Sequence, residues 1–325
     1  MKYKIAIAGS TQNTIKMAEA IAADPRFEIS FTLSPTPKLI GRKQILTKNP
    51  LHLWSEKKQL KTFLVDKKIE KTMLEEFAAI GEIDFLLVVD FGYLIPKWLL
   101  TLPKIAPLNI HPSLLPKWRG SSPGQFCLLF QDLNEFGHES AVTLMIMSEG
   151  MDEGPIIAQL PFEIEKKWTQ VEYYEHAFEL MGEKLADLIG DFATKKIQAQ
   201  NQPAQSSTIA ARRLSKDDSF MDWKNLKQLM AGQKIDQAEI LPNLFKDDEV
   251  KQFFEDKTSQ IKLVSNASKA FSPWPSLWTL IPTNNGERRM KILDCHLEKE
   301  CLVLDQVQIE GKNPSKWNES KNTLV

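Results

Sequence analysis

The sequence predicts an α/β class: a doubly wound, mostly parallel sheet followed by a smaller, β-barrel-like (OB-like) C-terminal domain. Three observations carry this expectation. Short apolar runs alternate with helix-spaced segments over residues 3–190, the pattern of successive βα units. "DFLLVVDFG" (84–92) is a continuous Leu/Val run bounded by Asp and Gly, as a strand buried on both faces requires. Beyond residue 208 the texture changes to short β-like runs spaced like an antiparallel barrel.

The elements follow in order. "YKIAIAG" reads as a buried first strand ending at Gly9, and "NTIKMAEAIAA" (13–23) carries apolar positions at helical spacing. "FEISFTL" (27–33) is a second strand, "IAPLNIH" (105–111) follows the central run, and "AVTLMIM" (141–147) is a further strand. Helical stretches are expected at 71–80, 95–101 and 121–132, and a strong amphipathic helix at 169–190 closes the domain. The polar, Gln-rich segment "KKIQAQNQPAQSST" (195–208) reads as a linker. The division expected is therefore a domain over 1–194, a linker over 195–207 and a β-rich domain over 208–325. In the last, "IKLVSNASKAF", "SLWTLI", "MKILDCHLE" and "LVLDQVQIEG" read as strands, while 224–256 is charged and more helical.

Composition excludes several classes. With 42% hydrophobic and 26% charged residues, the chain has the balance of a globular protein. Its three cysteines are too few and scattered for a disulfide framework or a zinc knuckle, and fit a reduced, cytoplasmic setting. No apolar run approaches the ~18 residues that span a bilayer. The formal net charge is −1. Neither half of the chain is strongly basic, so contact with a nucleic acid has to come from local patches.

Five histidines are present, and His111 stands apart because it ends a predicted parallel strand. Ligands of open α/β sheets bind outside the carboxyl ends of such strands. Asn109, two residues earlier, points to the same side by the strand period of two. An imidazole beside a carboxamide can polarise one carbonyl and hold the oxyanion that develops when it is attacked. A carboxylate is needed to orient or charge the imidazole, and "SEGMDEGP" offers Asp152 between Gly150 and Gly154. On spacing alone a turn-forming Asp is the more ordinary reading, and Glu149 and Glu153 compete with it. No Ser, Cys or Lys is placed as a covalent nucleophile, no metal-ligand cluster is evident, and "AGSTQN" after the first strand is neither a dinucleotide fingerprint nor a P-loop. Direct transfer between two bound molecules is the chemistry these residues suggest.

The stretch "VVDFGYLIPKWLLTLPKIAPLNIHPSLLPKWRGSSPGQ", followed by "AVTLMIMSEGMDEGPII", resembles the formyltransferases that use 10-formyltetrahydrofolate, and among them the branch acting on methionyl-tRNA. The resemblance extends from Lys4 to about Trp317. It implies Asn109, His111 and Asp152 as catalytic residues, with Ser113, Leu114, Leu115 and Pro116 of the Ser-Leu-Leu-Pro signature lining the folate pocket beside Phe91, Tyr93 and Leu94. It also implies 10-formyltetrahydrofolate as formyl donor without a metal, initiator methionyl-tRNA as acceptor, a monomer, and a role in translation initiation away from any membrane. "GRKQILTKNPLHLW" (41–54) resembles a basic loop that enters the tRNA acceptor stem, with Arg42, Lys43 and Lys48 as phosphate contacts. The signature alone leaves the acceptor open, so a sugar-nucleotide N-formyltransferase, a formyltetrahydrofolate hydrolase and a catalytically silent RNA-binding relative remain alternatives. The chain departs from the family pattern at Ala141, in a longer 224–256 interval, and in a C-terminal domain that is barely basic.

Overall fold

The fold is that of a computed structural model, which describes residues 2–41, 43–133, 136–245, 248–284 and 286–321. In chain order the first elements are β1 (Tyr3–Gly9), α1 (Gln12–Ala22), β2 (Phe27–Pro35), β3 (Lys38–Ile40), β4 (Ile45–Thr47), α2 (Pro50–Lys57) and β5 (Thr62–Val65). Then come α3 (Met73–Ile80), β6 (Phe85–Val89), α4 (Lys97–Leu100), β7 (Ala106–His111), α5 (Pro123–Phe130), β8 (Glu139–Ile146), β9 (Ile156–Glu163) and α6 (Gln170–Ala193). The remainder holds α7 (Trp223–Met230), α8 (Asp248–Lys251), α9 (Lys257–Ala270), β10 (Leu277–Thr283), β11 (Gly286–Glu298), β12 (Cys301–Ile309), β13 (Ser315–Lys316) and α10 (Trp317–Ser320).

Seven strands form one sheet in the order β5-β2-β1-β6-β7-β8-β9. The pairs from β5 through β7 are parallel, and β8 turns antiparallel against β7. This is the mostly parallel sheet that the alternation predicts. All of β6 is buried, as its unbroken Leu/Val run requires. The order reverses at β1, which lies between β2 and β6, so a crevice opens beyond the carboxyl ends of β1 and β6. Gly9 makes the turn from β1 into α1 possible: a Cβ there would sit 2.4 Å from the Val89 carbonyl oxygen and equally close to the Thr14 hydroxyl. Thr11 caps α1, its side chain accepting from the Thr14 backbone N–H in a reciprocal capping box. On one face of the sheet, Phe31, Phe63 and Phe77 pack with ring centroids 4.5–5.2 Å apart. Such contacts add to the burial of three large side chains and fix α3 over β2 and β5.

Residue contacts divide the chain into two compact units. One comprises residues 1–119, 141–161 and 175–208; the other comprises 120–140, 162–174 and 209–325. The division expected from sequence runs through 195–207, whereas the compact units interleave along the chain. In the second unit, β10 to β13 form a four-stranded antiparallel sheet in sequential order. "IKLVSNASKAF" is not a strand there but most of α9. Asp256 caps that helix through the Ser259 backbone N–H, and buried Ser265, Asn266 and Ser268 spend their side chains on carbonyls of Cys295, Leu129 with Gln131, and Ser265. The small and β-branched residues that read as strand are those of a helix buried on nearly every side. Among the described residues, no helix is long and apolar enough to cross a membrane.

Candidate active site

The site is built at the end of β7, within the first unit. Asn109 lies between Val88 of β6 and Met145 of β8, and His111 pairs with Thr143. Asn109 is thereby fixed by the sheet on either side and His111 by β8, and His111 is buried. Asp152 enters from the loop between β8 and β9 in the left-handed region, at φ 55°, a conformation that Asp adopts more readily than most residues. That loop depends on Gly154, where a Cβ would fall 1.8 Å from the Ile146 carbonyl oxygen.

One carboxylate joins the two strand residues. Asn109 Nδ2 donates to Asp152 Oδ1 at 3.4 Å, and His111 Nδ1 lies 3.6 Å from Asp152 Oδ2. The other imidazole nitrogen, Nε2, is 3.1 Å from the Trp118 carbonyl oxygen. A carbonyl only accepts, so Nε2 donates and carries the ring proton. Nδ1 then faces the carboxylate, and a second proton placed there would be held between imidazole and Asp152. The arrangement sets a carboxylate against Nδ1 and leaves a carboxamide beside the ring. The three residues singled out from sequence are together.

The Ser-Leu-Leu-Pro segment is pinned rather than free. Thr143 Oγ1 donates to the Ser113 carbonyl at 2.7 Å, Ser113 Oγ to the Lys117 carbonyl at 2.8 Å, and Gln159 Nε2 to the Leu115 carbonyl at 3.0 Å. Ser206 Oγ donates to the Pro116 carbonyl at 2.6 Å, and the Leu115–Pro116 peptide is cis. Ser113 and Leu115 are buried, while Leu114 and Pro116 stay partly accessible. Of the other residues expected to meet a folate, Phe91 is buried against Tyr93, whose hydroxyl donates to the Asp66 carbonyl at 2.7 Å; Leu94 is 84% exposed.

Within the basic segment, β4 (45–47) pairs antiparallel with β3 (38–40) in a two-stranded hairpin. Lys43 is exposed near its turn, Lys48 pairs with Glu56 at 2.5 Å, and Arg42 lies outside the described residues. The hairpin also presents Leu39, Ile40, Ile45 and Leu46, each more than half exposed.

Two parts of the site escaped the sequence reading. Gln202, in the segment read as linker, donates to the carbonyls of Asp152 and Gly154 at 2.9 and 2.7 Å, and Arg119 in turn donates to Gln202 Oε1 at 2.9 Å. No periodicity or motif marks Gln202. The second is Asp90, just past the end of β6, with φ 49°. Its Oδ2 accepts from Thr11 Oγ1 at 2.8 Å and Asn13 Nδ2 at 3.0 Å, and its carbonyl accepts from Ser10 Oγ at 2.8 Å. Asp90 is exposed to solvent, yet the density of surrounding protein pushes its carboxyl pKa up against the opposing pull of Asn13 and Thr11. Both facts hold for a side chain on the floor of a crevice. Its strand-end position, next to a buried run, is the signal that could have found it. Among the described residues, no group of three His, Cys, Asp or Glu side chains is placed to hold a metal ion.

A family model described as formyl transferase matches residues 1–188. Methionyl-tRNA formyltransferase of Wolbachia pipientis subsp. Culex pipiens is 29% identical over 287 residues, covering 88% of this chain and 85% of that one. The methionyl-tRNA formyltransferase of Ehrlichia chaffeensis is 27% identical over 323 residues, covering 97% and 95%. Among solved structures, a 4-N formyltransferase from Francisella tularensis shares the fold at a TM-score of 0.57, with 16% identity and coverage of 91% of this chain and 98% of that one.

Proposed function

We propose that this chain, which belongs to the formyl transferase family, moves a formyl group from 10-formyltetrahydrofolate to the α-amino group of methionyl initiator tRNA. The observation that carries the chemistry is the single carboxylate of Asp152, which gathers Asn109 and His111 at 3.4 and 3.6 Å. The acceptor is supported by relatives named methionyl-tRNA formyltransferase that align over nearly the whole chain, C-terminal unit included.

The residues have distinct tasks. The formyl carbon is delivered on N10 of the reduced folate; the chain's part is to hold the carbonyl and manage protons. Asn109 Nδ2 donates to the carbonyl oxygen as the amine attacks, and the positive charge of a protonated His111 ring stabilises the oxyanion that gathers there. Asp152 stabilises the imidazolium and receives the proton that the amine sheds as the new C–N bond forms. The same proton then serves the nitrogen that leaves when the old C–N bond breaks. The cosubstrate fits what the residues offer: Leu114 and Pro116 remain accessible while the carbonyls of Ser113, Leu115 and Pro116 are held from behind, so that the segment forms a rigid wall. Arg42, Lys43 and Lys48 contact tRNA phosphates. The enzyme acts as a monomer in the cytoplasm, where charged tRNA and reduced folates meet.

The test is formyl transfer from 10-formyltetrahydrofolate to charged initiator tRNA, run beside a dTDP- or UDP-amino sugar and beside donor alone. Transfer to tRNA is expected. Transfer only to the sugar would make the chain a sugar-nucleotide formyltransferase, and release of formate without an acceptor would make it a hydrolase.

A further inference from the structure

Asp90 has no part in the chemistry above, yet its placement calls for one. Gly9 of β1 lies opposite Val89, and Val88 lies opposite Asn109, so Asp90 leaves β6 between the first strand and the catalytic strand. Continuing that parallel register puts Asp90 level with His111. Neighbouring strands are about 4.8 Å apart, so the chain leaving β6 at Asp90 starts beside the end of β7 that carries His111. The carboxylate is also fixed. Thr11 and Asn13 both spend their donors on Oδ2, and Oδ1 accepts no hydrogen bond among the described residues. The backbone adopts the left-handed region to deliver it, a conformation that has a cost in any residue but Gly. Loop architecture alone does not require an exposed acid there, since an Asn would accept from the same two donors. What an Asn would lack is the negative charge on the open oxygen.

We infer that Asp90 is a catalytic residue for the acceptor, its free oxygen binding the ammonium group of an aminoacyl ester and taking the first of its protons. This rests on the proposed transfer to methionyl-tRNA. The balance is simple. An α-ammonium carries three protons and no lone pair; one passes to Asp90, giving a neutral amine and a carboxylic acid. The second passes to Asp152 as the C–N bond forms and ends on the departing nitrogen, and the third stays in the amide. α-Amino groups have pKa values of about 7.7–8.0, so much of the acceptor arrives protonated and unreactive. A carboxyl whose pKa is raised by its surroundings is a better acceptor for that proton than an ordinary one.

The experiment uses the full chain at pH 6 without formyl donor, and compares binding of initiator tRNA carrying methionine with tRNA carrying the corresponding α-hydroxy acid ester. The wild type is expected to prefer the amine by roughly 10-fold, as a charge-assisted hydrogen bond provides. Asp90→Asn keeps an acceptor for Thr11 and Asn13 and is expected to abolish the preference, while leaving the KM for the formyl donor unchanged. A variant that folds and retains the preference overturns the inference. So does a wild type that binds both esters equally, a result independent of whether the variant folds. A wild type that binds charged tRNA but formylates only an amino sugar would instead overturn the acceptor reading, and this inference with it.

Discussion

Replacing Asp152 by Asn tests the catalytic arrangement with the smallest change of shape. Asn is among the few residues that accept the left-handed conformation at this position, φ 55°, so the loop should persist. Its backbone is held independently, through the carbonyl that accepts from Gln202 at 2.9 Å. What disappears is one charge 3.6 Å from His111 Nδ1. At an effective dielectric of ~20, that pair is worth about 4–5 kcal/mol to the imidazolium. The Asp152 side chain is 15% exposed, so screening reduces this; half of it, ~2.3 kcal/mol, is about 50-fold in rate. A second loss adds to it. The Asn amide can donate to Nδ1, which locks the ring neutral with its proton on Nε2 and opposes the charged form. Together these predict a fall in kcat of at least ~10²-fold, with Tm and affinity for a folate analogue close to those of the wild type. Steady-state turnover with saturating tRNA, with thermal unfolding as the control for folding, measures this. Activity above about a tenth of wild type in a folded variant would refute the role of Asp152 and leave Asn109 and His111 acting without a charge partner.

Four further outcomes are expected. Gly154→Ala forces a Cβ against the Ile146 carbonyl, whose oxygen would lie 1.8 Å away; a loss of about 3 kcal/mol or more in chemical denaturation is expected, and unchanged stability would mean that the loop relaxes freely. Gln202→Ala removes both donors that hold the Asp152 loop, so kcat should drop by several-fold with the KM for tRNA unaltered. Lys43→Ala should flatten the dependence of log affinity for charged tRNA on log salt by ~0.9 if Lys43 contacts a duplex phosphate; an unchanged slope would make it a solvated side chain. Asp90 is held with its carboxyl pKa above the ordinary 3.8, so the folded state binds more protons there than the unfolded state, and its contribution falls as pH rises from about 4 through the raised pKa. Asp90→Asn should therefore raise Tm at pH 7–8 and lose that advantage near pH 3, measured by calorimetry at both values.

The sheet was legible because its physics is local: a buried parallel strand must be apolar throughout, and β1, β6 and β7 are. The pair Asn109 and His111 was legible for the same reason, since a period of two and a strand end are both properties of a short segment. Where neighbours decide the conformation, the reading failed. α9 looked like a strand because its Ser and Asn side chains, poor helix formers in water, find carbonyl partners only once the helix is buried. The short hairpin of β3 and β4 was not legible because strands that expose Leu39 and Leu46 do not show the alternation of a half-buried strand. Gln202 read as linker because nothing in its own segment marks it; it matters only for the carbonyls that the fold brings within 3 Å. Asp90 lies between these cases. Its address at the end of a buried strand was in the sequence, but its chemistry depends on Thr11 and Asn13, which come from the start of α1, far earlier in the chain. A charge placed in such a crevice weakens the fold at neutral pH, and the same carboxylate, replaced by Asn, would satisfy every hydrogen bond that holds it. The stability it forgoes is thus a measurable counterpart of the acceptor binding assigned to it: the variant that gains Tm at pH 7–8 should be the one that no longer distinguishes an amine from a hydroxyl.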